Sequence, residues 1–207
     1  MPENFYVNTV GAVSSTKLSE AIELGKKLTA ESKAAGSERA SIGTIMTGNN
    51  AGSVVFQQFF NSLDDFANVM DAFATSSTYG KIMETGLKVT MRNVAKFCDV
   101  PFVAPENPTR KYVVLTRGSS HISQSALMDL IAEAAPMFAD TGAQTFRFAR
   151  IMTGNNAGDF LLGVTYPSMT EIEATYDAIG TSPVASKIYA SLDVNLRTII
   201  RVHAAAT

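Results

Sequence analysis

The sequence predicts an α+β chain in which one βαββαβ unit occurs twice in tandem. Three observations carry this expectation. Residues 45–52 and 151–158 are the same octapeptide, IMTGNNAG, offset by 151 − 45 = 106 positions. That offset also lays Tyr6 on Tyr112, Gly36 on Gly142, Ser62 on Ser168, Thr75-Ser76 on Thr181-Ser182 and Lys81-Ile82 on Lys187-Ile188. Finally, the apolar pattern switches between strand and helix periods in the same order in both halves. The expected division is a first repeat over residues 1–98, a linker over 99–110 and a second repeat over 111–207. The linker, DVPFVAPENPTR, holds three of the seven prolines and reads as stiff.

Each half opens on a short run rich in β-branched and aromatic residues, FYVNTVGAV or KYVVLTRG, which predicts a strand. Leu18, Ala21, Ile22, Gly25 and Leu28 then recur at helical spacing, as do Leu127, Leu130, Ile131, Ala134 and Phe138. Ser14-Ser15 and Ser119-Ser120 precede these helices as expected caps. Gly36 and Gly142 end them, because glycine enters the left-handed region without a Cβ penalty. Two strands come next in each half, ASIGTIMT with SVVFQQFF and TFRFARIMT with DFLLGVTY. GNNAG joins each pair as a hairpin connection, with glycine and asparagine expected at positive φ. Leu63, Phe66, Met70 and Phe73 predict the second helix of the first half, matched by Met169, Ile172, Tyr176 and Ile179. An interruption is expected at TSS and TSP, where Ser76 or Ser182 caps a new turn and Pro183 suits its first position. LKVTMRNVAKF and LDVNLRTIIRV form the last strands, with HAAAT fraying beyond. The order is the split βαβ, or ferredoxin-like, pattern.

Helices cover one face of such a sheet, yet the strands are apolar on both. Phe56, Gln58 and Phe60 alternate with Val55, Gln57 and Phe59. The uncovered face needs a partner, and the other half of the chain is the nearest one. The octapeptide is expected to fix a strand pair whose geometry both halves share, at a shared rim or in contact with the other half's sheet.

Two ferredoxin-like units of this size with interrupted second helices resemble the dimeric α/β-barrel superfamily over nearly the whole chain. The resemblance implies antiparallel sheets packed face to face as a pseudo-dimeric barrel, with helices outside. It spans cofactor-independent monooxygenases, haem-degrading enzymes, lactone isomerases and stress-responsive proteins. In its monooxygenases, asparagine, tyrosine, tryptophan and arginine are implicated in the pocket, whereas this chain has no tryptophan.

Strand alternation selects the expected pocket residues. Val7, Thr9, Val113 and Leu115 are assigned to the face under the helices, with Tyr6, Asn8 and Tyr112 opposite. Val89 and Met91 share a face, as do Val194 and Leu196, which leaves Arg92 and Arg197 pointing inward. Phe148 and Arg150 complete the set. In it the two outer-strand arginines can hold a carboxylate, phenolate or enolate through paired donors. Asn8 can donate to an oxyanion, and the rings supply flat apolar walls. The structural alternative pairs the arginines with Asp64, Asp65 or Glu171.

The formal net charge is −2 and no basic cluster occurs, so nucleic acid is not an expected partner. No apolar run reaches the ~18 residues of a membrane span, and the N-terminal segment lacks a secretory pattern, so a cytoplasmic setting is expected. Cys98 is the one cysteine. His121 and His203 stand in no metal-ligand spacing, so no metal and no cofactor is expected, with haem ligation by either histidine left open. The functional expectation is a protein binding a small apolar or aromatic molecule in a pocket between the two repeat sheets. A cofactor-independent monooxygenase or isomerase acting on an aromatic or polyketide-like substrate is the alternative. A non-catalytic assembly or stress-response protein, homo-oligomeric through its helices or barrel exterior, is the third. Binding ranks ahead of catalysis because no activated nucleophile or acid–base pair can be named.

Overall fold

The computed structural model describes residues 3–207. Its strands are β1 (Phe5–Ala12), β2 (Arg39–Ile45), β3 (Val54–Phe60), β4 (Lys88–Cys98), β5 (Tyr112–Ser120), β6 (Thr145–Ile151), β7 (Phe160–Tyr166) and β8 (Leu192–Ala206). The helices are α1 (Leu18–Ala34), α2 (Leu63–Thr75), α3 (Ser77–Glu84), α4 (Gln124–Asp140), α5 (Met169–Thr181) and α6 (Pro183–Ser191). The fold is α+β, each half has the order βαββααβ, and the strands adjoin one another as β1-β3-β2-β8-β5-β7-β6-β4 in a closed barrel. The chain also divides into two compact units whose limits differ from the repeat limits. Met152–Asn156 and Ile200–Thr207 group with the residues up to Phe97, while Cys98–Ile151 and Ala157–Ile199 form the second unit.

Local chemistry accounts for most element ends. Ser76 Oγ accepts from the Tyr79 N–H at 3.0 Å and Ser182 Oγ from Ala185 at 3.3 Å, so each second helix is broken and recapped where TSS and TSP stand. Ser62 and Asp65 form a reciprocal capping box at the start of α2. Gly36 and Gly142 come after α1 and α4 at φ +124° and +91°. The first-helix caps differ from expectation. A single turn at Ser15–Lys17 precedes α1, whose N-terminus has no side-chain cap. Ser119-Ser120 belong to β5, and Ser123 caps α4 instead, accepting from Ala126 at 3.2 Å. The end of β8 does not fray: Ala204–Ala206 pair with β2, Ala206 opposite Ala40.

In the first unit Val7, Phe56 and Phe60 lie under the helices with Ala21, Leu28, Val69 and Phe73. On the other face of the same sheet Tyr6 packs on Phe59 (5.2 Å) and Phe97 (6.2 Å). In the second unit Val114, Phe146, Phe148, Phe160 and Val164 pack against Leu127, Ile131 and Phe138 of α4. The linker residue Phe102 stacks on Phe146 at 5.7 Å, so this stretch is anchored rather than a bare spacer.

The structure corrects two face assignments made from the sequence. Tyr112 stands opposite Tyr166 as Phe5 stands opposite Phe60, so Tyr112 is the counterpart of Phe5, not of Tyr6. One residue fewer between β5 and α4 shifts β5 by one against the rest of its repeat, which exchanges its two faces. Val114 and Thr116 therefore lie under the helices in place of Val113 and Leu115. In β4 the register with β1 slips between Val10 and Gly11, where Met91 faces Val10 but Val89 faces Gly11. Thr90 is the extra residue of a bulge, and a bulge re-aims the side chains beyond it. Val89 and Arg92 consequently share the helix-side face. Val194 and Arg197 of β8 share theirs with the same odd spacing.

The octapeptides turn as expected, but glycine alone supplies the positive φ: Gly48, Gly52, Gly154 and Gly158 lie between +84° and +98°, and no other residue type does so among the described residues. The asparagines are thus not selected for left-handed backbone. What the identical residues touch is more informative. Ile45 pairs with Ile200 of β8. The Met152 N–H donates to the Val94 carbonyl of β4 at 2.7 Å, and the Val94 N–H donates to Thr153 Oγ1 at 3.1 Å. Each copy sits against the closing strand of the other repeat.

Candidate functional site

Both repeats leave space between their own helices and sheet, at equivalent places. In the second repeat the space, together with the open solvent at its mouth, amounts to about 860 Å³. Its wall is almost wholly apolar. Phe148 and Phe160 stack there at 5.3 Å and 8° between planes, and Ile131, Phe138 and Ile179 close it from the helices. Its polar groups are few, and they are placed by identifiable elements.

Arg197 enters from β8 on the helix side. Its Nε donates to Thr116 Oγ1 of β5 at 3.2 Å and its Nη2 to Tyr189 Oη of α6 at 3.0 Å. The guanidinium carbon lies 5.7 Å from the Tyr176 ring and 5.5 Å from the Tyr189 ring, within cation–π range. Among the described residues no carboxylate pairs with it, so the expected partners Asp64, Asp65 and Glu171 are not its partners. A guanidinium carries five N–H donors, which leaves several for a ligand. Tyr176, from α5, has its phenol pushed upward by burial, with Arg197 pulling the other way. It therefore stays protonated at neutral pH.

Tyr166 forms a second polar point. It is 1% exposed and burial pushes its phenol up to about 12. Thr175, which pulls the other way on Tyr166, lies 2.8 Å from Thr141 Oγ1 and donates to the Glu171 carbonyl at 2.8 Å. Tyr166 and Leu162, which faces Thr116 across β5, are four residues apart on β7, about 13 Å along an extended strand. The cavity thus runs from a buried phenol toward an arginine near the mouth, where Tyr189 and Val194 are exposed.

Of the residues singled out in the sequence, Phe148 and Arg197 line this cavity. Tyr112 packs against the same apolar cluster. Arg150 is exposed, donates to Gln124 Oε1 at 3.1 Å and stands 5.9 Å from the Phe160 ring, outside the lining. Arg92 occupies the corresponding cavity of the first repeat. Tyr6 and Asn8 lie elsewhere, buried on the sheet face away from the helices. Tyr6 accepts from Gln57 Nε2 at 2.6 Å and the Asn8 Oδ1 has no partner. Sequence reasoning missed Tyr189, set Thr116 on the face of Tyr112 without giving it a role, and read Tyr176 only as a helix position. Comparing the halves carries the signal: Tyr176 and Tyr189 stand where the first half has Met70 and Met83.

Neither histidine lines the cavity. His121 Nε2 lies 2.9 Å from Asp193 Oδ2, exposed to solvent. His203 is hydrogen-bonded to Thr44 Oγ1 at 2.6 Å, so imidazole ligation of a haem in this cavity does not fit the residues present. No group of three or more metal-ligating side chains occurs among the described residues, and none of their helices is long and apolar enough to cross a membrane. His203 does report on folding. Burial, then Arg201 and Lys26, hold its imidazole below the usual value of 6.5. The unfolded chain therefore binds the proton more readily, and the stability that His203 contributes is present above about 6.5 and lost as pH falls through and below it. The melting temperature of His203→Gln is expected to fall less than that of the parent between pH 7.5 and 5.5. Parallel curves over that interval would remove His203 from the account.

A protein-family model described as a domain of unknown function (DUF6854) matches residues 3–97 and 110–202. No curated relative matches in sequence. Among solved structures, an anthrone oxidase-like protein is 14% identical with a TM-score of 0.64, covering 99% of this chain and 93% of its own. A protein provisionally assigned as a monooxygenase, from Lactobacillus acidophilus, is 13% identical with a TM-score of 0.62, covering 100% and 97%. Chlorite dismutase from Candidatus Nitrospira defluvii, in complex with imidazole, is 11% identical with a TM-score of 0.65, covering 99% and 92%. At these identities the likeness establishes the fold, that of the dimeric α/β-barrel superfamily.

Proposed function

This chain belongs to the DUF6854 family, and we propose that its second repeat binds a planar, mostly apolar small molecule bearing a phenol or enol oxygen. One observation carries the reading: an almost wholly apolar pocket containing an arginine that has hydroxyl partners but no carboxylate. A guanidinium in such surroundings stabilises an anionic oxygen more strongly than it would in water. Stacked Phe148 and Phe160 supply a flat wall for a ring system. Titration with a dihydroxyanthraquinone tests it through the visible absorbance of the phenolate. Saturable binding with a red shift supports the reading, and no saturable change overturns it.

A second reading adds turnover. The likeness to an anthrone oxidase-like protein suggests dioxygen as co-substrate, and Arg197 favours it because dioxygen reacts with the enolate rather than the enol. An anthrone-type methylene would lose one proton to solvent as its enolate, then react with dioxygen. Carbonyl formation with O–O cleavage releases one water, so CH2 and O2 become C=O and H2O. Oxygen-electrode measurement with a dihydroxyanthrone should show uptake of one dioxygen per substrate, above the uncatalysed rate. Binding without accelerated uptake would leave the first reading alone standing.

A further inference from the structure

The cavity of the first repeat is not a copy of the one just described. The space there, open solvent included, amounts to about 530 Å³, and its arginine is held alike: Arg92 Nε donates to Thr9 Oγ1 at 3.0 Å, as Arg197 does to Thr116. The surroundings differ in kind. Met70 takes the place of Tyr176, and its Sδ, a weak acceptor, is the second partner of Arg92 at 3.5 Å. Met83 takes the place of Tyr189. Phenols are therefore replaced by flexible thioethers, which adapt to irregular aliphatic shapes.

Bulk is redistributed too. Leu28 stands where the second repeat has Ala134, Phe73 where it has Ile179 and Tyr79 where it has Ala185. These side chains narrow the space against a broad ring system. An opening remains near Arg92, where Met83 is 40% and Val89 41% exposed. Among the described residues no carboxylate pairs with Arg92, and its Nη2 has no partner. A half-buried cation with one hydroxyl and one thioether partner is under-compensated.

We propose that the first repeat is a second, separate ligand site, in which Arg92 takes the carboxylate of a flexible aliphatic acid whose chain lies along Met83, Leu87 and Val89. The geometry suits a carboxylate, since the terminal guanidinium nitrogens can present parallel donors to its two oxygens. The two repeats would then have diverged in ligand, one for flat phenols and one for aliphatic acids.

Isothermal titration of the full chain with decanoate tests this. The expected result is saturable one-to-one binding, weakened at least tenfold in Arg92→Met and changed less than twofold in Arg197→Met. Decanol, of similar chain length and uncharged, should bind the parent protein at least tenfold more weakly. Methionine methyl NMR of the parent locates the site without relying on a variant's folding: saturating decanoate should shift Met70 and Met83. Equal affinity for decanol, an unaffected Arg92→Met variant, unshifted Met70 and Met83, or no saturable binding would each overturn the proposal.

Discussion

Arg197→Met is expected to weaken dihydroxyanthraquinone binding by roughly ten- to a hundredfold and to abolish the red shift of the bound chromophore. A hydrogen bond to a charged group contributes about 1.5–3 kcal/mol, and each 1.4 kcal/mol is a factor of ten in affinity. Methionine keeps an unbranched apolar stem between Tyr176 and Tyr189, so lost packing contributes less than it would for alanine. The proper control is Arg150→Met. Arg150 is exposed, bonded to Gln124 and outside the lining of the cavity, so its variant should shift affinity less than twofold. Equal losses in both variants would mean that general charge, not the Arg197 geometry, drives binding. Retention of the red shift in Arg197→Met would place the ligand oxygen elsewhere.

The contrast between those two arginines shows what a strand pattern carries and what it omits. Element order was legible because each helix and strand has its own apolar period, and because the two halves repeat it. The recapping of the second helices was legible from Ser76, Ser182 and Pro183, since local hydrogen bonding decides it. Which face a strand presents was less legible, for a mechanical reason. Strand side chains alternate, so one residue more or fewer reverses every assignment beyond it. Two such irregularities occur, one residue missing between β5 and α4 and one bulged at Thr90. The first moved Val114 and Thr116 under the helices, and the second turned Arg92 to the same side. Arg197 and Phe148 were named in the sequence, but the wall that makes sense of them comes from helix residues whose role only packing reveals. Tyr176 and Tyr189 read as ordinary amphipathic positions until Arg197 stands between them.

Gly154→Ala is expected to lower the melting temperature by roughly 5–15 °C, whereas Gly158→Ala in the same turn should lower it by only about 2–8 °C. Both glycines adopt positive φ, +90° and +98°, where an added Cβ costs about 1–2 kcal/mol. Their surroundings separate them. A Cβ on Gly158 meets nothing within 4 Å, while on Gly154 it would lie 2.2 Å from Asn93 Oδ1 and 3.2 Å from Asn93 Cγ. Asn93 is 7% exposed, so its amide has little room to retreat. Displacing it also disturbs Val94, whose N–H and carbonyl hold Thr153 and Met152. Strain plus a damaged strand junction amounts to about 2–4 kcal/mol, and each kcal/mol moves the midpoint of a chain this size by about 2–4 °C. The difference between the two variants isolates the junction from the turn, because the backbone penalty is common to both. This supplies a physical reason for two identical octapeptides. Ile, Met, Thr and the first glycine are constrained by the neighbouring closing strand, while the second glycine answers to the turn. Equal destabilisation by the two substitutions would show that the turn alone matters and that the docking against β4 contributes little to stability.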